Sequence, residues 1–237
     1  MPYQVIIVDL FPSSEALLRA FEALSAEREQ AFSQIYALAV RPNEKLPKIA
    51  KSFRFLAPIL REILGTNAEK EITRFDEFSN HETSPIPETI AEMREHDQNT
   101  PFYMMNLNKY YLRAQYANGE ALSGKEAYDR YSSWIAPFLI SVGGYPDIFG
   151  DAAGVLVGDK TSPLHDDWSD FAMVYYPSRK NFLNMMTHSP KKSVHHRSAG
   201  LQRAVLMPTS EWPGRRDIES ALDGLNSLPD TKRTATE

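Results

Sequence analysis

Apolar positions in the second half of the chain switch between two periods. Phe102, Met104, Asn106 and Asn108 alternate with Tyr103, Met105 and Leu107, the two-residue repeat of a strand. Ala127, Tyr128, Tyr131, Trp134, Ile135 and Phe138 then recur at three- and four-residue steps. That spacing predicts a helix, opened by Ser123-Gly124-Lys125-Glu126 and ended by Gly143-Gly144, with Pro137 near its end. Residues 145–158 predict one or two short strand segments broken at Gly150-Asp151, and 159–167 a loop. Phe171, Met173 and Tyr175 alternate against Ala172, Val174 and Tyr176, a further strand stopped by Pro177. Ser178 caps a helix carrying Phe182, Leu183, Met185 and Met186, and Arg203 to Met207 closes the pattern as a strand. The stretch from Thr100 to Pro208 thus reads strand, helix, strand, strand, helix, strand.

The first half is less regular. Val5, Ile6, Ile7 and Val8 form a continuous apolar run, which predicts a buried strand over Tyr3–Phe11. Ser13 or Ser14 caps an amphipathic helix that runs to about Phe32. Ile35 to Val40 reads as the end of that helix or as a second strand. Ile49, Phe53, Leu56, Ile59, Leu60 and Ile63 predict one helix over 47–64, kinked at Pro58 and capped by Gly65. Glu71 to Phe78 is a candidate strand and Glu88 to His96 a short helix. The polar, proline-bearing stretch from Ser79 to Asn99 reads as a connection. The domain reading is therefore 1–97, 98–208 and a polar tail over 209–237.

Composition removes several classes of function. The chain has 237 residues and no cysteine, which excludes disulfides, thiolate catalysis and cysteine-bound metals. A net charge of −5 argues against nucleic acid as a partner. No run reaches the length of a membrane helix, and the short N-terminal apolar run carries Asp9 and no basic lead. The expectation is a soluble cytoplasmic protein with no membrane partner. The six histidines, at 81, 96, 165, 188, 195 and 196, form no helical i,i+4 pair and no HExxH, so no metal site is expected. Phosphate-binding glycine loops and a GxSxG elbow are absent too, and no cofactor is expected.

The polar residues that remain inside the pattern are the candidates for chemistry. Asn106 stands among apolar neighbours, where an amide donates to a substrate carbonyl or is satisfied by its own backbone. His195 and His196 precede the last strand beside Arg197. Histidine moves protons near neutral pH and arginine grips a carboxylate or enolate through two parallel hydrogen bonds. On an extended segment only one of the two histidines would face a pocket. The other reading of the three is a solvated basic loop. Tyr128, Tyr131 and Trp134, with Met104 and Tyr175 from the strands, are candidate substrate-lining residues, and Tyr110, Tyr111, Arg113 and Tyr116 a candidate lid. His165, Asp166 and Asp167 read as a solvated turn, and His188 as a helix-end residue.

The motifs YMMNL, GKEAYDRY, the GG before the second strand, WSDFAMVYYPSRKNFLNM and HHRSAGL, in that order, resemble the DUF1330-like group of the dimeric α+β barrel superfamily over Pro101–Met207. The resemblance implies a ferredoxin-like unit whose sheet packs against a second sheet to close a barrel around a small ligand. The extra N-terminal residues then suggest two ferredoxin-like halves paired within one chain, a pseudo-dimeric monomer. Pairing of second halves in a homodimer is the other arrangement. The superfamily's chemistry implies a cofactor-independent lyase, isomerase or cyclase acting on a small apolar oxygenated metabolite, of polyketide or terpenoid type, in secondary metabolism. Proton abstraction next to a carbonyl would fall to His196 or His195, with Asn106 and Arg197 steadying the enolate. A cofactor-less monooxygenase and a non-catalytic ligand-binding barrel are the alternatives.

Overall fold

The computed structural model describes residues 11–23, 36–66, 87–95, 98–158, 160, 162 and 164–210. In chain order its elements are α1 (Ser14–Ala23), β1 (Ala37–Pro42), α2 (Lys45–Ser52), a 3-10 turn (Phe53–Leu56), α3 (Ala57–Ile63), α4 (Pro87–Glu95), β2 (Phe102–Tyr110), α5 (Gly124–Ser141), β3 (Tyr145–Val157), β4 (Asp170–Tyr176), α6 (Arg179–His188), α7 (Lys191–Gly200) and β5 (Leu201–Thr209). The strands form a five-stranded antiparallel sheet in the order β1-β3-β4-β2-β5. The fold is mixed α+β.

Alternation along β2 sets the two faces of this sheet. Phe102, Met104, Asn106 and Asn108 lie opposite Tyr176, Val174, Ala172 and Asp170 of β4. This face is covered by helices: Phe102 and Met104 pack with Val142, Phe182, Leu183 and Met185, and with Ile90 and Met93 of α4. Phe102 stacks on Tyr176 at 5.4 Å between centroids and meets Phe182 edge-on at 6.0 Å. Burying such a ring completely contributes about 2–3 kcal/mol. The other face gathers Met105, Leu107, Phe171 and Met207 under Leu164 and Trp168 of the loop before β4, with Leu38 and Val40 of β1 alongside.

Local chemistry accounts for where the helices begin. Ser123 accepts from the Glu126 amide, and the Glu126 carboxylate accepts from the Ser123 amide, a reciprocal cap for α5. Ser178 accepts from the Asn181 amide at the start of α6, and Ser13 from the Ala16 amide at α1.

Several expectations change. The helix expected over 47–64 is divided into α2, the 3-10 turn and α3. Pro58 sits in the first turn of α3, where its missing N–H has no intrahelical acceptor to lose. Gly150-Asp151 makes no turn: β3 is one strand, pairing with β4 through its first part and with β1 through the rest. Residues 37–42 are a strand and not a helix end. That strand joins the same sheet as an added edge beside β3. α3 docks on the end of α5, where Arg61 donates to the Ser141 carbonyl at 3.1 Å. The strand expected at Tyr3–Phe11, apart from Phe11, lies outside the described residues. So do the later part of the first helix, the Glu71–Phe78 strand and the tail beyond 210. Among the described residues no helix is long and apolar enough to cross a membrane.

Candidate functional site

Gly124 and Gly200 set the distance between α5 and α7. A Cβ on Gly124 would lie 2.3 Å from the Tyr111 carbonyl oxygen and 2.5 Å from that of Gly200. A Cβ on Gly200 would lie 2.5 Å from the Gly124 oxygen. Only a hydrogen fits at either place. The Gly124 amide donates to Tyr111 O and the Tyr111 amide to Gly200 O, both at 3.0 Å. The end of β2, the start of α5 and the end of α7 are thereby tied together. Tyr128 stands one turn after Gly124 and Arg197 one turn before Gly200, so the crossing brings these two side chains toward each other.

The crossing lies over a polar end of the helix-covered face. Asn108 and Asp170 are directly opposed across β2 and β4 and are 2% and 1% exposed. Asn108 Nδ2 donates to Asp170 Oδ1 at 2.8 Å, and the Tyr110 hydroxyl donates to Asp170 Oδ2. Burial pushes the Asp170 carboxyl above the usual carboxylate range, against the hydrogen bonds from Tyr110 and Asn108. Burial, with Asp170 beside it, pushes the Tyr110 phenol far up. Burial raises Tyr128 as well, with Tyr131 adding to the shift and Arg197 opposing it. The rings of Tyr110, Tyr128 and Tyr131 follow one another at 5.2 Å steps, and the Arg197 guanidinium lies 5.8 Å from the centre of the Tyr131 ring. Asn108 Oδ1 is buried with no hydrogen-bond partner among the described residues. The arrangement sets the buried Asp170 carboxyl beside the hydroxyls of the half-buried Tyr110 and Tyr128 and presents a cation near them.

The residues singled out from sequence are divided among several places. His195, His196 and Arg197 lie on α7, not on an extended segment or a basic loop, so they diverge by about 100° per residue instead of alternating. Arg197 turns to Tyr131. His196 is half-buried with Nδ1 2.7 Å from the Tyr116 hydroxyl, and His195 is exposed beside the same ring at 5.2 Å. Burial, then His195 and Arg130, lower the His196 pKa. Asn106 donates to the carbonyl of Met104 in its own strand, in a regular stretch of the β2–β4 ladder. Met104 belongs to the apolar core under α5 and α6. Tyr128 and Tyr131 join the cluster, while Trp134 is 47% exposed. Tyr175 faces the opposite side of the sheet from Met104, against Tyr103 and Tyr145. Sequence reasoning missed Asp170, and it placed Asn108 on the right face without using it. A polar pair in register inside two apolar alternations was the available signal.

Two further groups bear on the site. The candidate lid is stapled down: Ala114 N donates to Leu122 O and Gln115 N to Ala199 O, each at 2.8 Å. This loop lines an open depression of about 450 Å³ from Arg113 to Glu120, and none of Asn108, Asp170, Tyr128 and Arg197 lines it. On the other face Asp166 accepts from Lys109 and, at 2.8 Å, from Arg203, whose guanidinium lies over Trp168. Burial opposes ionisation of Asp166, but the Lys109 and Arg203 hydrogen bonds prevail and hold its pKa at about 2. The turn expected to be solvated is a clamp on the sheet. Among the described residues no group of three histidine or acidic side chains could hold a metal ion.

No family model matches the chain, and no curated protein matches it. Two solved structures of the RPA0582 protein are similar to it. The methylated form has 29% identity over 56% of this chain and 96% of its own, with a TM-score of 0.49. The second, described as a protein of unknown function from Rhodopseudomonas palustris, has 28% identity over 55% of this chain and 97% of its own, with a TM-score of 0.48.

Proposed function

We propose that the chain is a cofactor-independent proton-transfer enzyme, an isomerase, lyase or cyclase, acting on a small apolar oxygenated metabolite between the sheet and helices α5 and α7. The observation that carries this reading is the buried Asp170 carboxyl, held by Asn108 and Tyr110 with Tyr128 alongside. Perturbed titratable groups gathered under helices are the mark of acid–base sites. The strand order β3-β4-β2-β5, joined by crossovers α5 and α6–α7, supports a ferredoxin-like unit, and with it the DUF1330-like resemblance. The apolar face opposite the helices is the one a second sheet would cover in a barrel.

In the proposed reaction the Asp170 carboxylate takes the proton from the carbon next to a carbonyl. The C–H bond breaks, an O–H bond forms on Asp170, and the electron pair moves onto the carbonyl oxygen as an enolate. The Tyr128 hydroxyl donates to that oxygen, and Asp170 returns its proton at another position. The base role moves from the histidine pair to Asp170 because His195 is exposed and His196 is engaged with Tyr116. The depression on the loop is not lined by the cluster, so a substrate reaches Asp170 after a side chain at its edge, Tyr131 or Arg197, moves.

The test is deuterium exchange. The full chain is incubated in D2O with small apolar 1,3-diketones and cyclic ketones, and incorporation is read by mass spectrometry. Wild type is expected to exchange the enolisable position and Asp170→Asn to lose that activity. Exchange that persists in Asp170→Asn but disappears in His196→Gln would return the base role to His196. Compounds that bind without exchanging would make the site a ligand-binding barrel.

A further inference from the structure

Arg197 is 9% exposed, yet its guanidinium makes no hydrogen bond and no ion pair among the described residues. Its guanidinium lies 5.8 Å from the centre of the Tyr131 ring and acts electrostatically on Tyr128, and neither contact accepts its N–H donors. The buried carboxyl of the cluster does not neutralise it: Asp170 gives its oxygens to Asn108 and Tyr110. A guanidinium carries five N–H donors and is charged at every ordinary pH. The Arg197 nitrogens keep only a little contact with solvent, and cations so nearly buried are as a rule paired. A ring face attracts the cation and accepts none of its in-plane donors, so the fork stays open.

We propose that Arg197 is the anchor for a carboxylate on the substrate, so that the ligand of this site is a small monoanionic organic acid. This rests on the reading of the cluster as a small-molecule site and names its substrate class. Several features favour a carboxylate over a phosphate. The planar carboxylate matches the fork with two parallel hydrogen bonds. Among the described residues only one unpaired cation is present in the cluster, and a second negative charge would stand near the Asp170 carboxyl. Tyr128 and Tyr131 supply flat apolar surface beside the fork, which suits an aromatic or alicyclic body on the acid. The anchor also orients the substrate's enolisable carbon toward the Asp170 side of the cluster.

The experiment compares benzoate with benzamide, a neutral probe of nearly the same shape, by calorimetric titration of the full chain. Benzoate is expected to bind about tenfold or more tightly than benzamide, the discrimination usual for one charge-assisted pair. Arg197→Met is expected to lose that margin and to leave benzamide binding unchanged. Arg197→Met is also expected to melt above wild type in the absence of ligand, because it removes a largely buried charge with no partner among the described residues. Should Arg197→Met fail to fold, Arg197→Lys serves in its place: it keeps the charge, loses the fork, and is expected to weaken benzoate alone. Equal binding of the two probes, or a benzoate affinity indifferent to both variants, overturns the carboxylate anchor and leaves the small-molecule site standing. Inorganic phosphate binding more tightly than benzoate overturns it too. Carboxylate binding through Arg197 with no deuterium exchange in any ketone upholds the anchor and removes only the catalytic reading.

Discussion

Gly124→Ala tests the framework on which the site depends. The added methyl would lie 2.3 Å from Tyr111 O and 2.5 Å from Gly200 O, and both are backbone atoms. Neither can rotate away, so α5 must move off β2 and α7 by roughly 1 Å to restore ordinary contact. That movement stretches the hydrogen bonds from Gly124 N to Tyr111 O and from Tyr111 N to Gly200 O, both 3.0 Å now. Each contributes about 1 kcal/mol. Overpacking adds about 1–3 kcal/mol, and the better helix propensity of alanine returns at most about 1 kcal/mol, less at the first helical position. The expected net loss is about 2–3 kcal/mol, which for a chain of this size lowers Tm by about 5–10 °C. Urea unfolding should show a lower midpoint with an unchanged slope. Gly200→Ala should act in the same direction. The double variant should cost less than the two losses added, because one displacement relieves both clashes. A Gly124→Ala protein within about 0.5 kcal/mol of wild type would refute the close crossing, and with it the meeting of Tyr128 and Arg197.

Asp166→Asn removes the clamp between Lys109 and Arg203. Because the Asp166 pKa is depressed to about 2 from 3.8, its contribution is present above pH 3.8 and is lost as pH falls toward 2. Its side chain is 17% exposed, and after solvent screening the expected loss at neutral pH is about 1–2 kcal/mol. Urea unfolding of both proteins across pH 2 to 6 should show that difference shrinking toward the acid end, and a constant difference would rule out linkage to Asp166. His195→Gln removes one of the cationic neighbours that hold the His196 pKa down. The His196 ring signals in NMR are expected to titrate at a higher pH in this variant, and an unmoved titration would show that His195 has no part in lowering the value.

How far the sequence could be read follows from which signals are local. The strand at 102–110 and the helix behind Ser123 were legible because period and cap sit in adjacent residues. The face assignment of β2 followed from the same alternation, and Phe102 and Met104 lie under the helices as that alternation requires. β3 was misread because glycine within a strand looks like a turn; here Gly150 passes against Arg41 and Val40 of β1, a strand far away in sequence. α7 was misread because its apolar positions are few, and its helical form rests on contact with α5 through Gly200. The site was half legible. Arg197, Tyr128 and Tyr131 were identified, but grouping them with Asp170 required the β2–β4 register, which places Asp170 opposite Asn108. Tyr175 and Met104 were grouped by type, and the β2–β4 register sends them to opposite faces.

The two ends of the helix-covered face call for opposite effects of substitution. At the end holding Phe102, Tyr176 and Phe182 the packing is apolar and aromatic. Phe102→Ala there opens a cavity between sheet and α6 and is expected to cost about 3–5 kcal/mol. At the other end Asn108 and Asp170 are as deeply buried and Arg197 nearly so, but among the described residues Asn108 Oδ1 has no partner and Arg197 no counterion. A core shaped by stability alone would fill these positions with apolar side chains, since replacing buried polar groups by packed hydrocarbon is often neutral or stabilising. The aromatic end supplies stability that offsets the polar end, and on the proposed reading the polar end is kept for what it binds. Denaturant unfolding of Phe102→Ala and Arg197→Met side by side separates the two cases. Opposite signs support a site held at a stability cost. A comparable loss in both would mean that Arg197 is one more packing residue and that the polar end belongs to the core.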